Sequence, residues 1–168
     1  LLCVAEALAQ DTSTSDASSL QLGEIVVTAQ KRSENLQQVP IAITALQSEK
    51  LKEHQVFNVG DIAQYTPNLN FSSAGSGSST TASFYIRGIG QHIAHFTADP
   101  AVGVYLDDVY MARSMGANFS LGEIAQIDVL KGPQGTLFGR NTIGGAVAVT
   151  TNRPVFRAEG NADLTVGT

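Results

Sequence analysis

The stretch Ile127–Thr151, IDVLKGPQGTLFGRNTIGGAVAVTT, places two apolar, β-branched runs on either side of a glycine-rich connection. Ile127–Leu130 and Ala146–Thr151 are predicted as strands, because such residues favour an extended backbone. Five of the chain's 16 glycines fall within the 14 residues from Gly132 to Gly145. Glycine permits tight turns and close backbone approach, so this connection is predicted to use its glycines for both.

Similar patterns elsewhere predict the remaining elements of a small domain. Further strands are predicted at Ile41–Leu46, Ser83–Arg87 and Val102–Leu106. Two short helices are predicted, one from a capping Ser48 to about His54 and one from Asn58 to Tyr65, where Asn58 and Asp61 form a capping pair. Residues 72–81, SSAGSGSSTT, are predicted as a loop. The sum is an α+β domain with a mixed, short-stranded sheet and short helices.

The ends of the chain differ in composition from this domain. Residues 1–9 are predicted to be the remnant of a secretory signal, because Ala7-Leu8-Ala9 matches a signal-peptidase site; the alternative is an ordinary apolar turn. The polar segment 10–23 is predicted as a flexible tether. The other boundaries are predicted at 24–29 for a short strand with no partner nearby in sequence, 30–38 for a linker, 39–154 for the domain and 155–168 for the start of a further strand.

Charge and cysteine content exclude several classes of protein. The net charge is −5, of which residues 1–30 contribute −4 through four acidic residues and no basic one. The rest of the chain has no basic surplus, which argues against binding to nucleic acid. Cys3 is the only cysteine, so neither an internal disulfide nor a multi-cysteine metal site is possible.

No catalytic constellation is found in the sequence. Residues 139–145 have the glycine spacing of a phosphate-binding loop but lack its lysine and its hydroxyl residue, so nucleotide binding is not expected. Asp107 and Asp108 are adjacent, and adjacent strand residues point to opposite faces, so a turn between two strands is the better interpretation. No nucleophile elbow is present. We expect neither an enzyme nor a bound cofactor.

Histidines and charged strand residues leave alternatives open. His92 and His95 are spaced to share a metal, with Asp99 as a third candidate, but solvated loop histidines are the more common case, and contact with a ligand is a further hypothesis. Seven charged residues lie in or beside the predicted strands and suit either a solvated face or a domain enclosed by a polar wall. They are Arg87, Arg113, Glu123, Asp128, Lys131, Arg140 and Arg153.

Three segments resemble one known family. Val102–Pro154 is similar to the plug domain of TonB-dependent outer-membrane receptors, most specifically through IDVLKGPQGTLFG. EIVVTA, residues 24–29, resembles the family's TonB box, and FYIRGIG, residues 84–90, resembles the end of a plug strand. Ala148 departs from the pattern, since many relatives have asparagine there.

The resemblance implies a fold and a mode of action. Such a plug is normally enclosed in an antiparallel barrel of about 22 strands, which 168 residues cannot supply, so the chain is expected to be an N-terminal piece. The TonB box is expected to add as a strand to a TonB-type periplasmic energy transducer. Its residues here are Glu24, Ile25, Val26, Val27, Thr28 and Ala29.

The resemblance also implies a function in the outer membrane. We expect a receptor that imports a scarce small-molecule solute, a ferric siderophore first among the candidates; the alternative is a stand-alone periplasmic binding or signalling module. Loops 72–81 and 91–100 are expected to face the substrate, with His92 and His95 as contacts. Plug–barrel or structural roles are expected for Arg87, Gly88, Glu123, Lys131, Gly132, Gly135, Gly139, Arg140, Gly144 and Gly145.

Overall fold

A computed structural model of the protein describes residues 26–27, 34–73, 80–91, 97–157 and 160. The strands in these ranges are β1 Val26–Val27, β2 Glu34–Asn35, β3 Ala42–Gln47, β4 Leu69–Ser72, β5 Ser83–Ile86, β6 Ile89–Gly90, β7 Val102–Leu106, β8 Val109–Met111, β9 Ile124–Lys131 and β10 Gly145–Thr151. The helices are α1 Ser48–Glu53, a 3-10 helix Val59–Gln64 and α2 Gly135–Phe138. No described helix has the length and apolar character needed to span a bilayer.

The largest sheet has five strands in the order β3-β9-β10-β7-β8. β9 is antiparallel to both of its neighbours, β3 and β10, so those two strands run in the same direction. β10 and β7 are parallel, which makes the sheet mixed and confirms the predicted fold class. β3 is an edge strand and begins one residue later than predicted, whereas β9 begins three residues earlier.

A second sheet, β4-β5-β6, and the 3-10 helix cover one face of the five-stranded sheet. The side chains of β9 alternate between the two faces of the sheet, so Ile127 and Val129 both point to this face, where they are fully buried. They belong to one apolar cluster with Ile62 of the 3-10 helix and with Phe84 and Ile86 of β5. This cluster is the main core of the domain, and burial of its apolar side chains provides the dominant stabilising term.

A short hairpin forms at the N-terminal side of the domain. β1 pairs antiparallel with β2, in the register Val27 to Glu34, and Val27 is fully buried in a cluster with Val39. The prediction that this strand has no partner nearby in sequence is therefore wrong. After β2 the chain turns towards β3, and the side-chain and backbone oxygens of Asn35 accept the N–H groups of Gln37 and Gln38, each at 2.9 Å.

The two predicted helix starts have different outcomes. The 3-10 helix begins after Asn58 as expected, and the Asp61 carboxylate accepts the backbone N–H of Asn58 at 2.9 Å and that of Phe57 at 3.2 Å. Ser48 is wrong as a cap, because it is the first residue of α1 and Gln47 occupies the capping position without a side-chain hydrogen bond.

The two adjacent aspartates form the turn between β7 and β8, as predicted. Both have positive φ, 47° at Asp107 and 66° at Asp108, which is the geometry of a tight two-residue hairpin turn. The Asp107 carboxylate also accepts the backbone N–H and the hydroxyl of Thr151, both at 2.8 Å. The turn is thereby attached to the last residue of β10.

Candidate functional site

The glycine-rich connection between β9 and β10 is bonded to itself and to its neighbours. Backbone N–H groups donate from Gly132 to Gly144, from Gln134 to Thr142 and from Gly144 to Ala101, all at 3.0 Å. A phosphate-binding loop requires such N–H groups to point at a ligand. In this connection the N–H groups bond to carbonyl groups of the chain itself, so the glycines have a structural role and no bound anion is needed to explain them.

Three glycines of this connection meet different constraints. Gly139 has φ of 83° and open space around an added Cβ, so only its backbone conformation demands glycine. Gly144 has ordinary φ, but an added Cβ would lie 2.8 Å from the carbonyl oxygen of Ile89. Gly145 combines φ of 145° with contact between an added Cβ and the carbonyl oxygen of Leu130. Of these three glycines, only Gly145 has both a positive φ and backbone too close for an added Cβ.

An aromatic group attaches the connection to the β7–β8 hairpin. The Tyr105 hydroxyl donates to the carbonyl oxygen of Phe138, whose ring lies edge-on to that of Tyr105 with centroids 5.1 Å apart. Beside it, the Asn141 amide donates to the Tyr110 hydroxyl at 3.0 Å. Burial, and then the nearby Tyr110, raise the pKa of Tyr105 to about 12. The neutral hydroxyl that makes this bond is therefore favoured in the folded chain.

We expect Tyr105→Phe to lower the free energy of unfolding by about 1–3 kcal/mol at pH 7, because the buried carbonyl of Phe138 loses its donor. The raised pKa of Tyr105 stabilises the folded state fully below pH 10, and this contribution disappears as the pH rises towards 12. Stability should therefore fall less between pH 10 and 12 in the variant than in the parent. Urea unfolding followed by circular dichroism measures both effects.

Tyr65→Phe is the matched control, since the Tyr65 hydroxyl bonds to the carbonyl oxygen of His54 at 3.1 Å on the surface. We expect a change within about 0.5 kcal/mol there. Equal losses of stability for the two variants would contradict the role given to Tyr105.

Two cations lie close together at the end of β9. Arg87 is exposed, with φ of 54°, in the turn between β5 and β6 that it forms with Gly88. Burial, and then the charge of Arg87, lower the pKa of Lys131. Among the described residues, neither cation forms an ion pair. Their arrangement suits an acidic surface supplied from outside the domain.

The other charged residues singled out from the sequence fall into two groups. Glu123, Arg140 and Arg153 are exposed. Asp128 is buried, with 1% of its surface exposed, and its carboxylate accepts the Gln126 side-chain N–H at 2.6 Å. A solvated face is thus the wrong interpretation for Asp128.

Only some of the predicted ligand-contacting and metal-binding residues lie within the described ranges. His92 and His95 lie outside the described residues, as do Glu24, Ile25, Thr28 and Ala29 of the predicted TonB box. Asp99, the third metal candidate, lies 3.5 Å from Arg113 in an ion pair. Within the described ranges, no three His, Cys, Asp or Glu residues are grouped so that they could hold a metal ion.

One residue that positions the fold was missed by the sequence analysis. The Asn118 side-chain oxygen accepts the N–H of Gly60 at 3.0 Å, in the first turn of the 3-10 helix. This donor would otherwise lack a partner, as free N–H groups do at a helix start. No local signal reveals the contact, because 58 residues separate the pair.

Comparison with known proteins gives relatives of one kind. The chain is 32% identical over 155 residues to the pesticin receptor of Yersinia pestis, which covers 92% of this chain and 21% of that protein. It is 29% identical over 143 residues to a vitamin B12 transporter of Vibrio vulnificus, covering 85% of this chain and 22% of the relative. The chain thus spans about a fifth of the length of these relatives.

Solved structures agree with these relatives. The ferric yersiniabactin uptake receptor of Yersinia pestis matches with a TM-score of 0.59 at 27% identity, over 68% of this chain and 17% of that one. The ferripyoverdine receptor of Pseudomonas aeruginosa matches in fold, with a TM-score of 0.61 at 18% identity, over 77% and 16% of the two chains. The family model described as "TonB-dependent Receptor Plug Domain" matches residues 35–146. The protein belongs to this family of TonB-dependent receptor plug domains.

Proposed function

We propose that the chain is the plug and energy-coupling segment of an outer-membrane receptor that imports a scarce solute, a ferric siderophore first among the candidates. The observation that carries the proposal is the family match over residues 35–146, which includes four strands of the five-stranded mixed sheet and the start of the fifth, β10. Relatives include a ferrioxamine B receptor of Salmonella typhimurium, 27% identical over 134 residues, in addition to the receptors above. These relatives are transport receptors and not enzymes.

The rest of the receptor follows the same proposal. Residues 39–154 form the plug, and residues 155–168 begin the first strand of a surrounding barrel. The plug lies inside that barrel in the outer membrane, with its N-terminal segment in the periplasm. The cation pair Arg87 and Lys131 supports the enclosure, since it makes no ion pair within the described part of the chain and suits an acidic wall.

Energy coupling is assigned to residues 24–29, which a TonB-type transducer binds by strand addition. Val26–Val27 is already paired with Glu34–Asn35, and Val27 is fully buried. The transducer therefore has to take the strand from its own hairpin. Force on this segment reaches β3 after β2, and β3 lies at the edge of the five-stranded sheet.

Substrate contacts are assigned to loops 72–81 and 91–100, with His92 and His95 in the second loop. Support comes from sequence alone, because imidazoles are able to donate to or accept from an anionic chelate. The assignment is separate from that of energy coupling and is tested by substrate binding rather than by uptake.

Uptake by the full-length receptor tests the proposed function. A strain that lacks its other ferric-siderophore receptors is expected to regain growth under iron limitation when the gene is supplied with a suitable siderophore. Deleting residues 24–29, or deleting the host's energy transducer, should abolish uptake of the labelled ferric siderophore while leaving its binding to the cells intact. Uptake that persists after either deletion contradicts the energy-coupling assignment, and failure across a panel of siderophores contradicts the substrate class.

A further inference from the structure

The last residues of β10 lie at the point where the chain leaves the five-stranded sheet. Thr151 is half-buried, whereas the residues from 152 to 157 are all exposed and belong to no strand or helix. On the β9 side the chain stays attached beyond the end of β10, because the backbone N–H of Asn152 donates to the carbonyl oxygen of Glu123 at 2.9 Å. The attachment on the other side, next to β7, then determines how easily this end separates from the sheet.

The backbone pairing of β10 becomes less regular towards this end. The parallel pairing with β7 stops at Val149 opposite Leu106, where the chain turns into β8. The pairing with β9 changes at nearly the same place, because its register shifts between Thr150 and Thr151. A shift of this kind disrupts a ladder locally. The end of β10 is thus paired less regularly by backbone bonds than the rest of the strand.

Asp107 provides the attachment on the β7 side. Its backbone N–H donates to the carbonyl oxygen of Val149 at 2.9 Å. Its carboxylate accepts two bonds from Thr151, the backbone N–H on Oδ1 and the hydroxyl on Oδ2, both at 2.8 Å. Hydrogen bonds to an ionised acceptor are stronger than those between neutral groups. One side chain thus holds β10 two residues beyond its last backbone pair with β7.

The turn that carries this carboxylate has an unusual backbone at both of its central residues. Asp107 and Asp108 are left-handed, with φ of 47° and 66°. Aspartate tolerates this conformation better than most residues, because its short side chain is able to bond locally. The bonds to Thr151 are made by Asp107 and not by Asp108. The two aspartates therefore have the same kind of backbone conformation and differ in their contact with β10.

We propose that Asp107 anchors the end of β10 and thereby keeps the domain in place when its N-terminal side is pulled. A strand separates most easily from its end, one bond after another, and Thr151 is the residue at that end. With the anchor formed, a pull is carried by the paired strands of the sheet; without it, the pull is relieved by separation at Thr151. The anchor itself follows from the contacts, and its action under a pull rests on the proposed function.

Hydrogen exchange at the Thr151 amide in the full-length receptor tests the anchor directly. An N–H that is held by an acceptor exchanges only when the local structure opens. We expect Asp107→Ala to raise the exchange rate of this amide about tenfold or more. Asp107→Gly should do the same, although glycine adopts the left-handed conformation freely. Mass spectrometry with fragmentation to single residues measures each rate, which is taken relative to that of the unfolded chain.

Asp108→Ala is the matched control, because it places alanine in the same kind of left-handed conformation without removing a bond to Thr151. It should change the exchange rate by less than about twofold. Asp107→Asn should have an intermediate effect, since an amide oxygen still accepts the Thr151 N–H but the charge is lost. An unchanged rate in Asp107→Ala and Asp107→Gly, or an equal rise in Asp108→Ala, overturns the anchor.

Thr151 variants decide the matter if the Asp107 variants do not reach the membrane folded, as judged by protease resistance. Thr151→Val leaves the turn unchanged and removes only the hydroxyl bond to Asp107. We expect it to raise the exchange rate of the residue 151 amide about threefold, whereas Thr151→Ser retains a hydroxyl and should exchange like the parent. Equal rates in the two variants overturn the contact through both carboxylate oxygens.

Entry of vancomycin into cells tests the action of the anchor under a pull. We expect cells with the Asp107→Gly receptor to become about fourfold or more sensitive to vancomycin only when the energy transducer is present, because the pull then displaces the domain. Unchanged sensitivity, or an equal rise without the transducer, overturns this action. Exchange is measured without substrate or transducer, so transducer-independent uptake by the parent receptor would contradict the proposed function while exchange still decides the anchor.

Discussion

Replacing Gly145 with alanine is expected to destabilise the domain severely. The residue opens β10 with φ of 145°, a conformation that side chains with a Cβ rarely adopt. The added Cβ would run into the carbonyl oxygen of Leu130 and lie 2.8 Å from Cδ1 of Ile86. Leu130 cannot retreat, because β9 is paired on both of its edges. We expect a loss of about 4 kcal/mol or more, a large part of the 5–15 kcal/mol that stabilises a typical domain.

Protease resistance of the expressed chain measures this loss of stability. Alanine substitutions at two other glycines provide the comparison. Gly135→Ala should be nearly neutral, since its Cβ meets open space at an ordinary φ. Gly139→Ala should cost about 1–2 kcal/mol, because open space there is combined with a left-handed φ of 83°. A Gly145→Ala chain as resistant as Gly135→Ala would show that β9 and β10 tolerate the added atom.

Val26→Pro and Val27→Pro are expected to abolish energised uptake by the full-length receptor while leaving substrate binding intact. Proline has no backbone N–H, so a strand that contains it loses a bond with which it would add to the transducer's sheet. Either change also weakens the pairing of β1 with β2, because both residues lie in that register. Each variant thus frees β1 from β2, but the freed strand lacks a backbone N–H that it needs to pair with the transducer's sheet. Uptake and binding of a labelled substrate separate the two effects.

Two controls accompany the proline variants. Val26→Thr retains both the backbone N–H and the β-branched side chain, so it should transport nearly normally. Ser18→Pro, in the predicted tether, tests whether proline is harmful anywhere in this polar region. Normal uptake by both Val26→Pro and Val27→Pro would exclude strand addition at these two residues as the source of the coupling.

Local chemistry was sufficient to predict several elements of the fold. β7 was predicted with its observed ends, Val102–Leu106, because its apolar run is bounded by Pro100 and by the aspartate turn. The capping pair Asn58 and Asp61 marks the start of the 3-10 helix, since both partners lie within one turn. Such signals need only a few neighbouring residues.

Elements that depend on distant partners were not predicted. β4, Leu69–Ser72, is a short and partly polar segment that is extended because it pairs with β5 and packs beside the 3-10 helix. The pairing of β1 with β2 likewise depends on the burial of Val27 against Val39, twelve residues further along the chain. A single sequence does not contain the tertiary contacts that select these conformations.

In the candidate site, too, local features were predicted from the sequence and features that depend on distant contacts were not. The glycine pattern of residues 132–145 indicated turns and close approach, and the backbone geometry at Gly139, Gly144 and Gly145 has those features. Burial of Asp128 was not foreseen, because an acidic residue on a strand is usually exposed. Its register neighbour Ala45 packs with Val27 of the β1–β2 hairpin, which comes from another part of the chain.

The common direction of β3 and β10, on either side of β9, has a mechanical consequence for the proposed receptor. A pull on Ala42 that is resisted beyond Thr151 acts along the strand axes, because these residues are at opposite ends of the sheet. Such tension loads all the hydrogen bonds between β3 and β9 at once, in shear. A pull across the strands would instead break them one after another from one end. In the proposed receptor, we therefore expect β3 to resist a lengthwise pull more strongly than a pull that separates it from β9 at one end.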